Sequence, residues 1–97
     1  MRIGYSKRAV ADIRRIAAES QRAFGSKTAE ALGARIRATI EQLSREPYTG
    51  HELKQKSDVY VFTLVRCPFK IFYRVFNGGI RIQHVRHTSR RLWEGER

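Results

Sequence analysis

The run Lys70-Ile71-Phe72-Tyr73-Arg74-Val75-Phe76-Asn77-Gly78-Gly79-Ile80-Arg81-Ile82-Gln83-His84-Val85-Arg86 decides the fold. Two segments rich in β-branched and aromatic residues flank Asn77-Gly78, a strong signal for a two-residue hairpin turn. With that turn, Val75 faces Ile80, Tyr73 faces Ile82, and Ile71 faces His84. Those six side chains line one face of the sheet. The opposite face carries Lys70, Phe72 and Arg74 beside Arg81, Gln83 and Val85. Arg74 then stands directly across from Arg81, an unfavourable like-charge pair unless it is solvated or bridged by an anion. A three-residue turn would reverse the last strand's faces, and the pattern favours two.

Upstream, Val59-Tyr60-Val61-Phe62-Thr63-Leu64-Val65 has the same character, with a bend at Cys67-Pro68 before the hairpin. Earlier still the period becomes helical. Ser6 is a suitable N-cap for a helix to about Ala23, after a short candidate strand Met1–Tyr5. Its apolar stripe is read as Val10, Ile13, Ala17 and Phe24, widened by Ala9 and Ile16. Arg8, Asp12, Arg15, Glu19 and Arg22 fall outside the stripe and are expected in solvent. Gly25 closes this helix, and Ser26 caps a second that runs to about Arg45, with Ala29, Leu32, Ile36, Ile40 and Leu43 buried. So short a link makes the two helices an antiparallel hairpin. Pro47 ends the second helix. The expected class is α+β: one domain over residues 1–97, with a helical hairpin on one face of a mainly antiparallel, curved sheet.

Composition narrows the function. The 97 residues are 41% hydrophobic, enough for a core and too much for a disordered tail. Lys and Arg number 20 against 9 Asp and Glu, a net charge of +11, and fifteen of the cations are Arg. Arg suits forked contacts with phosphate or carboxylate, so a polyanion or an acidic protein is the expected partner. No apolar run approaches the roughly 20 residues that span a bilayer. The lone Cys67 makes no internal disulfide, and the first residues hold no secretory apolar segment, so a cytoplasmic location is expected.

Familiar catalytic constellations are missing. His51, His84 and His87 are the only histidines, and on a strand His84 and His87 point to opposite faces, which does not chelate a metal. Asp12 and Asp58, the only aspartates, sit in no nucleophile motif. Neither a metal nor another cofactor is expected. What stands out is a concentration of cations among aromatics after residue 50: Lys54, Lys56, Arg66, Lys70, Arg74, Arg81, Arg86, Arg90 and Arg91 alternate with Tyr60, Phe62, Phe69, Phe72, Tyr73 and Trp93. That interleaving fits RNA through phosphate contact and base stacking, or an acidic, apolar peptide. It equally fits aromatics in the core and arginines that solubilise the surface. In Val85-Arg86-His87-Thr88-Ser89-Arg90-Arg91, a strand end presents an imidazole with three arginines. His87 there is either a general acid or base or a hydrogen-bonded strand-end residue.

These motifs, in this order, bring a known family into view. Tyr5-Ser6-Lys7-Arg8-Ala9 followed by Asp12-Ile13 resembles the opening of the RelE/ParE superfamily of toxins from bacterial type II toxin–antitoxin modules. Leu43, Pro47 and Gly50 resemble its helix exit. Arg66-Cys67-Pro68-Phe69-Lys70-Ile71-Phe72-Tyr73-Arg74-Val75 is similar to its central arginine and aromatic strand. Val85-Arg86-His87-Thr88-Ser89-Arg90 resembles ParE-type endings. The resemblance spans nearly the whole chain and implies a hetero-oligomer with a cognate acidic antitoxin, for which Arg66, Lys70, Arg74 and Arg81 are the anion-binding candidates.

Two activities divide the superfamily. ParE-like members, linked to plasmid stabilisation, poison DNA gyrase and block replication without chemistry of their own; Arg86, His87, Arg90 and Arg91 would then contact the target. RelE-like members cleave mRNA on the ribosome with basic residues and no metal. Lys54, Lys56, Arg66, Arg86 and His87 would be the candidates, with Arg66, Arg86 and His87 catalytic. The Lys56-to-Arg66 spacing is longer than in RelE-like members, and Trp93 rather than a tyrosine follows Arg91. The two long helices with a tight Gly25-Ser26 turn and the His87-Thr88-Ser89-Arg90 ending bring the chain nearer the ParE branch.

Overall fold

The computed structural model describes residues 2–54, 58–64 and 68–88. Its elements are β1 (Arg2–Tyr5), α1 (Lys7–Phe24), α2 (Ser26–Arg45), a 3-10 turn at Pro47–Thr49, β2 (His51–Glu52), β3 (Val59–Thr63), β4 (Phe69–Phe76) and β5 (Gly79–His87). They form two helices on a mixed, open five-stranded sheet of order β1-β5-β4-β3-β2. The β5–β4–β3–β2 neighbours are antiparallel and β1 runs parallel to β5 at one edge. The α+β reading is borne out. The two-residue β2 has too little pattern to stand out in the sequence.

The β4–β5 turn forms at Asn77-Gly78, with Phe76 opposite Gly79 and Gly78 at φ 91°. Val75 faces Ile80 and Tyr73 faces Ile82 as the pattern predicts. Beyond them the register departs. A bulge at Gln83 slips the pairing by one residue, so Phe72 meets His84 and Ile71 meets Val85. A one-residue slip exchanges faces. Val85 therefore enters the core, fully buried, and His84 leaves it, the reverse of the uninterrupted alternation.

The core is one layer between helices and sheet. Ile36, Ile40 and Leu43 of α2 and Ala9 and Ile16 of α1 pack with Ile71, Tyr73, Ile80, Ile82 and Val85. Each fully buried Ile or Leu is worth about 1.5–3 kcal/mol against exposure. Ile36, Ile40 and Leu43 of the α2 stripe are buried as expected, whereas Ala29 and Leu32 are half-buried, Ser26 is the helix's first residue and Gly25 occupies the cap. The α1 stripe holds only in part. Ala9, Asp12, Ile16 and Ser20 are its buried positions, whereas Val10, Ala17 and Phe24 are exposed, Phe24 by 70%. Asp12, expected in solvent, is 2% exposed. Ala9 and Asp12 face β5, where a small residue permits close approach and a carboxylate answers open backbone groups.

At the opposite end Tyr73 acts as a latch. Its hydroxyl donates to the Pro47 carbonyl at 2.6 Å and accepts the Gly50 N–H at 3.1 Å, tying the exit of α2 to mid-sheet. A Cβ on Gly50 would lie 2.6 Å from that hydroxyl and 2.7 Å from the Val61 carbonyl, so the close approach demands glycine. The Tyr73 ring stacks on Tyr60 at 5.7 Å, and Tyr48 meets Tyr60 edge-on at 5.6 Å. Tyr73→Phe leaves both backbone groups without this partner. It is expected to lower stability by about 1–3 kcal/mol in urea unfolding, with the secondary structure unchanged by circular dichroism.

Candidate functional site

Ser6 sets the geometry of the site. Its backbone N–H continues the ladder to the Ile82 carbonyl at 2.9 Å. Its hydroxyl donates to the Gln83 carbonyl at 2.8 Å and accepts the Ala9 N–H at 2.9 Å, the expected N-cap. The chain thus turns from strand to helix beside the bulge, and β1 pairs no further along β5 than Ile82.

One turn into α1, Asp12 takes over the edge that β1 leaves. Oδ2 accepts the Val85 N–H at 3.0 Å and is hydrogen-bonded to His84 Nδ1, while Oδ1 accepts from Arg15 at 3.1 Å. The other imidazole nitrogen, Nε2, accepts the Nε–H of Arg86. Nδ1 therefore carries the proton and Nε2 the lone pair: a neutral imidazole in one defined tautomer. Burial pushes the His84 pKa below its ordinary value, and the Arg86 and Arg8 guanidiniums push it the same way against Asp12. The Arg86 guanidinium lies 5.8 Å from the Phe72 ring centroid, and the Phe72 and His84 rings are 5.8 Å apart.

Two concavities meet at these residues. One is an open groove of about 1070 Å³ between α1, the first half of α2 and the end of β5. Ile16, Leu32, Phe69 and Val85 contribute apolar surface, and Arg8, Arg15, Arg35 and Arg86 stand among its lining. The other, about 400 Å³, opens on the sheet face away from the helices and contains Phe72, Arg74 and Gln83. Arg8, His84 and Arg86 border both.

The bulge sorts the sequence candidates between these surfaces. On the open face the β4–β5 rungs read Lys70 with Arg86, Phe72 with His84, and Arg74 with Arg81, two like-charge pairs on either side of a ring pair. The opposition of Arg74 and Arg81 is as the sequence predicts. Among the described residues, none of Lys70, Arg74 and Arg81 has a carboxylate within 4 Å. His87 lies on the helix side, opposite Phe69, with its ring edge-on to that phenyl at 5.1 Å. Arg86 and His87, neighbours in the tail motif, thus leave β5 on opposite faces, although both line the groove. Lys54 is exposed near β2, whereas Lys56, Arg66, Arg90, Arg91, Cys67 and Trp93 lie outside the described residues. Among the described residues no group of three His, Cys, Asp or Glu is placed to hold a metal ion. Nor is any helix there long and apolar enough to cross a membrane. Asp12 and His84 were not singled out by sequence reasoning as site residues; their only signal was a carboxylate one turn inside a helix that follows a strand.

The arrangement of a helical hairpin on a mixed sheet recurs in solved structures. A chain of the chromosomal ParDE toxin–antitoxin system from P. aeruginosa superposes with TM-score 0.78 at 21% identity, over 92% of this chain and 97% of that one. The isolated E. coli RelE toxin gives 0.63 at 18% identity, covering 97% and 90%. The E. coli RelBE toxin–antitoxin complex gives 0.54 at 19% identity, covering 91% and 96%. No curated protein sequence matches significantly. The model of the ParE toxin of the type II toxin–antitoxin system parDE matches residues 3–92, and the chain belongs to that family.

The depressed pKa of His84 has a thermodynamic consequence. Below about pH 6.5 the unfolded chain takes up a proton that the folded imidazole refuses, so stability falls as pH drops from 7 toward the folded value. Urea unfolding at pH 7.5 and 5 is expected to show this loss. His84→Gln, which keeps a donor and an acceptor but does not titrate, should remove that part of it.

Proposed function

We propose that this member of the ParE family arrests bacterial growth by poisoning DNA gyrase, binding the enzyme without catalysing a reaction itself, and that a cognate acidic antitoxin neutralises it in the cytoplasm. The observation that carries the reading, beyond family membership, is the separation of Arg86 from His87. An acid–base pair acting on one phosphate must converge on it, and these two side chains leave β5 on opposite faces. Arg86, with Arg90 and Arg91 of the tail, serves as a contact residue for acidic groups on the target, and His87 contributes shape beside Phe69.

The antitoxin fits the groove. An apolar floor with arginines around it suits an amphipathic segment whose acidic residues reach Arg8, Arg15 and Arg35, and the +11 charge speeds the encounter. Lys70, Arg74 and Arg81 offer an additional anion-binding surface across the open sheet.

One observation favours a second reading, that of a ribosome-dependent mRNA endoribonuclease. Lys70, Arg74, Arg81 and Arg86 surround Phe72 and His84 on a single open face, a suitable bed for phosphates and a stacked base. Pulse-labelling after induction separates the two. DNA synthesis is expected to stop first while translation continues, and His87→Gln is expected to remain as toxic as the parent. Early arrest of protein synthesis, or loss of toxicity in His87→Gln, would move the reading to the nuclease.

A further inference from the structure

The sheet face turned away from the helices carries charge of one sign. By the pairing register, Arg2 of β1, Arg81 of β5 and Lys70 and Arg74 of β4 all stand on that face. Among the described residues no paired position of the face is Asp or Glu, and none of the four cations has a carboxylate within 4 Å. Arg74 and Arg81 are directly opposite, with Cβ atoms about 5 Å apart, an arrangement that favours an anion between them. Two glycines keep the surface beside them flat. A Cβ on Gly79 would lie 2.1 Å from the Arg2 carbonyl oxygen, so no side chain fits there. A Cβ on Gly4 would touch the Arg81 stem at 3.8 Å, so glycine leaves that side chain uncovered. Lys70 lies four residues along β4 from Arg74, about 13 Å away at the usual strand rise.

This spacing selects the ligand. Cations about 13 Å apart exceed the reach of one carboxylate or one phosphate and call for a polymer of negative charge. The larger apolar concavity, which suits a peptide, lies on the helix side of the sheet. A DNA duplex carries one negative charge per about 1.7 Å of its axis, and its backbone is held by positive charge without a pocket.

We propose that the open sheet face binds duplex DNA through its phosphate backbone, without reading sequence, with Arg2, Lys70, Arg74 and Arg81 as the phosphate contacts. The proposal rests on the gyrase reading only for the presence of DNA where the toxin acts. Under that reading the toxin engages the enzyme together with its DNA, and contact with one raises the effective concentration at the other.

Fluorescence anisotropy of the purified chain with a labelled duplex of about 20 base pairs tests this without gyrase. The logarithm of the affinity should fall linearly with the logarithm of salt concentration between about 50 and about 200 mM. Arg74→Gln/Arg81→Gln is expected to flatten that slope by about 2 and to weaken binding about 50-fold at about 100 mM salt. Arg14→Gln/Arg22→Gln removes the same charge from the exposed surface of α1 and should change the slope by less than about 0.5. All four side chains are exposed, so both variants should fold, which circular dichroism checks.

Equal losses in the two double variants would mean attraction by net charge alone and would overturn the proposal, as would no binding at about 50 mM salt. Tighter binding of a single-stranded RNA of equal length, or of poly-glutamate of equal charge, with the same dependence on Arg74 and Arg81, would overturn the choice of duplex DNA. Because the assay contains no gyrase, its failure leaves the gyrase reading standing. Early arrest of translation in induced cells would remove that reading and leave the measured DNA affinity intact.

Discussion

A carboxylate buried beside a sheet must find donors, and a strand whose neighbour stops short must find acceptors. Asp12 and β5 solve these two problems together. β1 accompanies β5 to Ile82 and then turns into α1 at Ser6, leaving the Val85 N–H facing the helix. Asp12, one turn along, accepts that N–H and the neighbouring imidazole. The cost of burying the charge is offset by donors from Val85, Arg15 and His84, the condition under which buried carboxylates persist. With this bond in place, the bulge at Gln83, the burial of Val85 and the outward turn of His84 and Arg86 form one consistent arrangement.

The functional surfaces follow from that arrangement. Because the helices cover one side of the sheet only, whatever β4 and β5 place on the other side is available to a partner. The bulge determines which residues those are. Arg86 and His84 join Lys70, Phe72, Arg74 and Arg81 there, while His87 is turned toward Phe69 and the groove. The two concavities share Arg8, His84 and Arg86, so one short stretch of sequence contributes to both.

Much of this was legible in the residues. Ser6 read as a cap, Gly25 as a helix break, Ile36, Ile40 and Leu43 of the α2 stripe and the Asn77-Gly78 turn all took their expected places, because each is governed by local chemistry within a few positions. The misreadings share one cause. Counting apolar residues put Val10, Ala17 and Phe24 under α1 and Asp12 in water, yet α1 rests partly against a strand edge, where backbone donors reward a carboxylate. Strict alternation put His84 inside and Val85 outside, and an inserted residue leaves no mark on composition or period. Both features arise from contacts between residues more than 70 positions apart, such as Asp12 with His84, and no local pattern encodes them.

The most direct test of this dependence is the hydrogen-exchange rate of the Val85 amide. Its partner is the Asp12 carboxylate rather than a strand. With Asp12 holding the bulge, Val85 should be protected to about the same free energy as the Ile82 amide in the core of the same strand, and Asp12→Ala should reduce that protection selectively. A Val85 amide that exchanges at the rate of an exposed, unbonded N–H would contradict the arrangement, and with it the placing of Arg86 and His87 on opposite faces of β5.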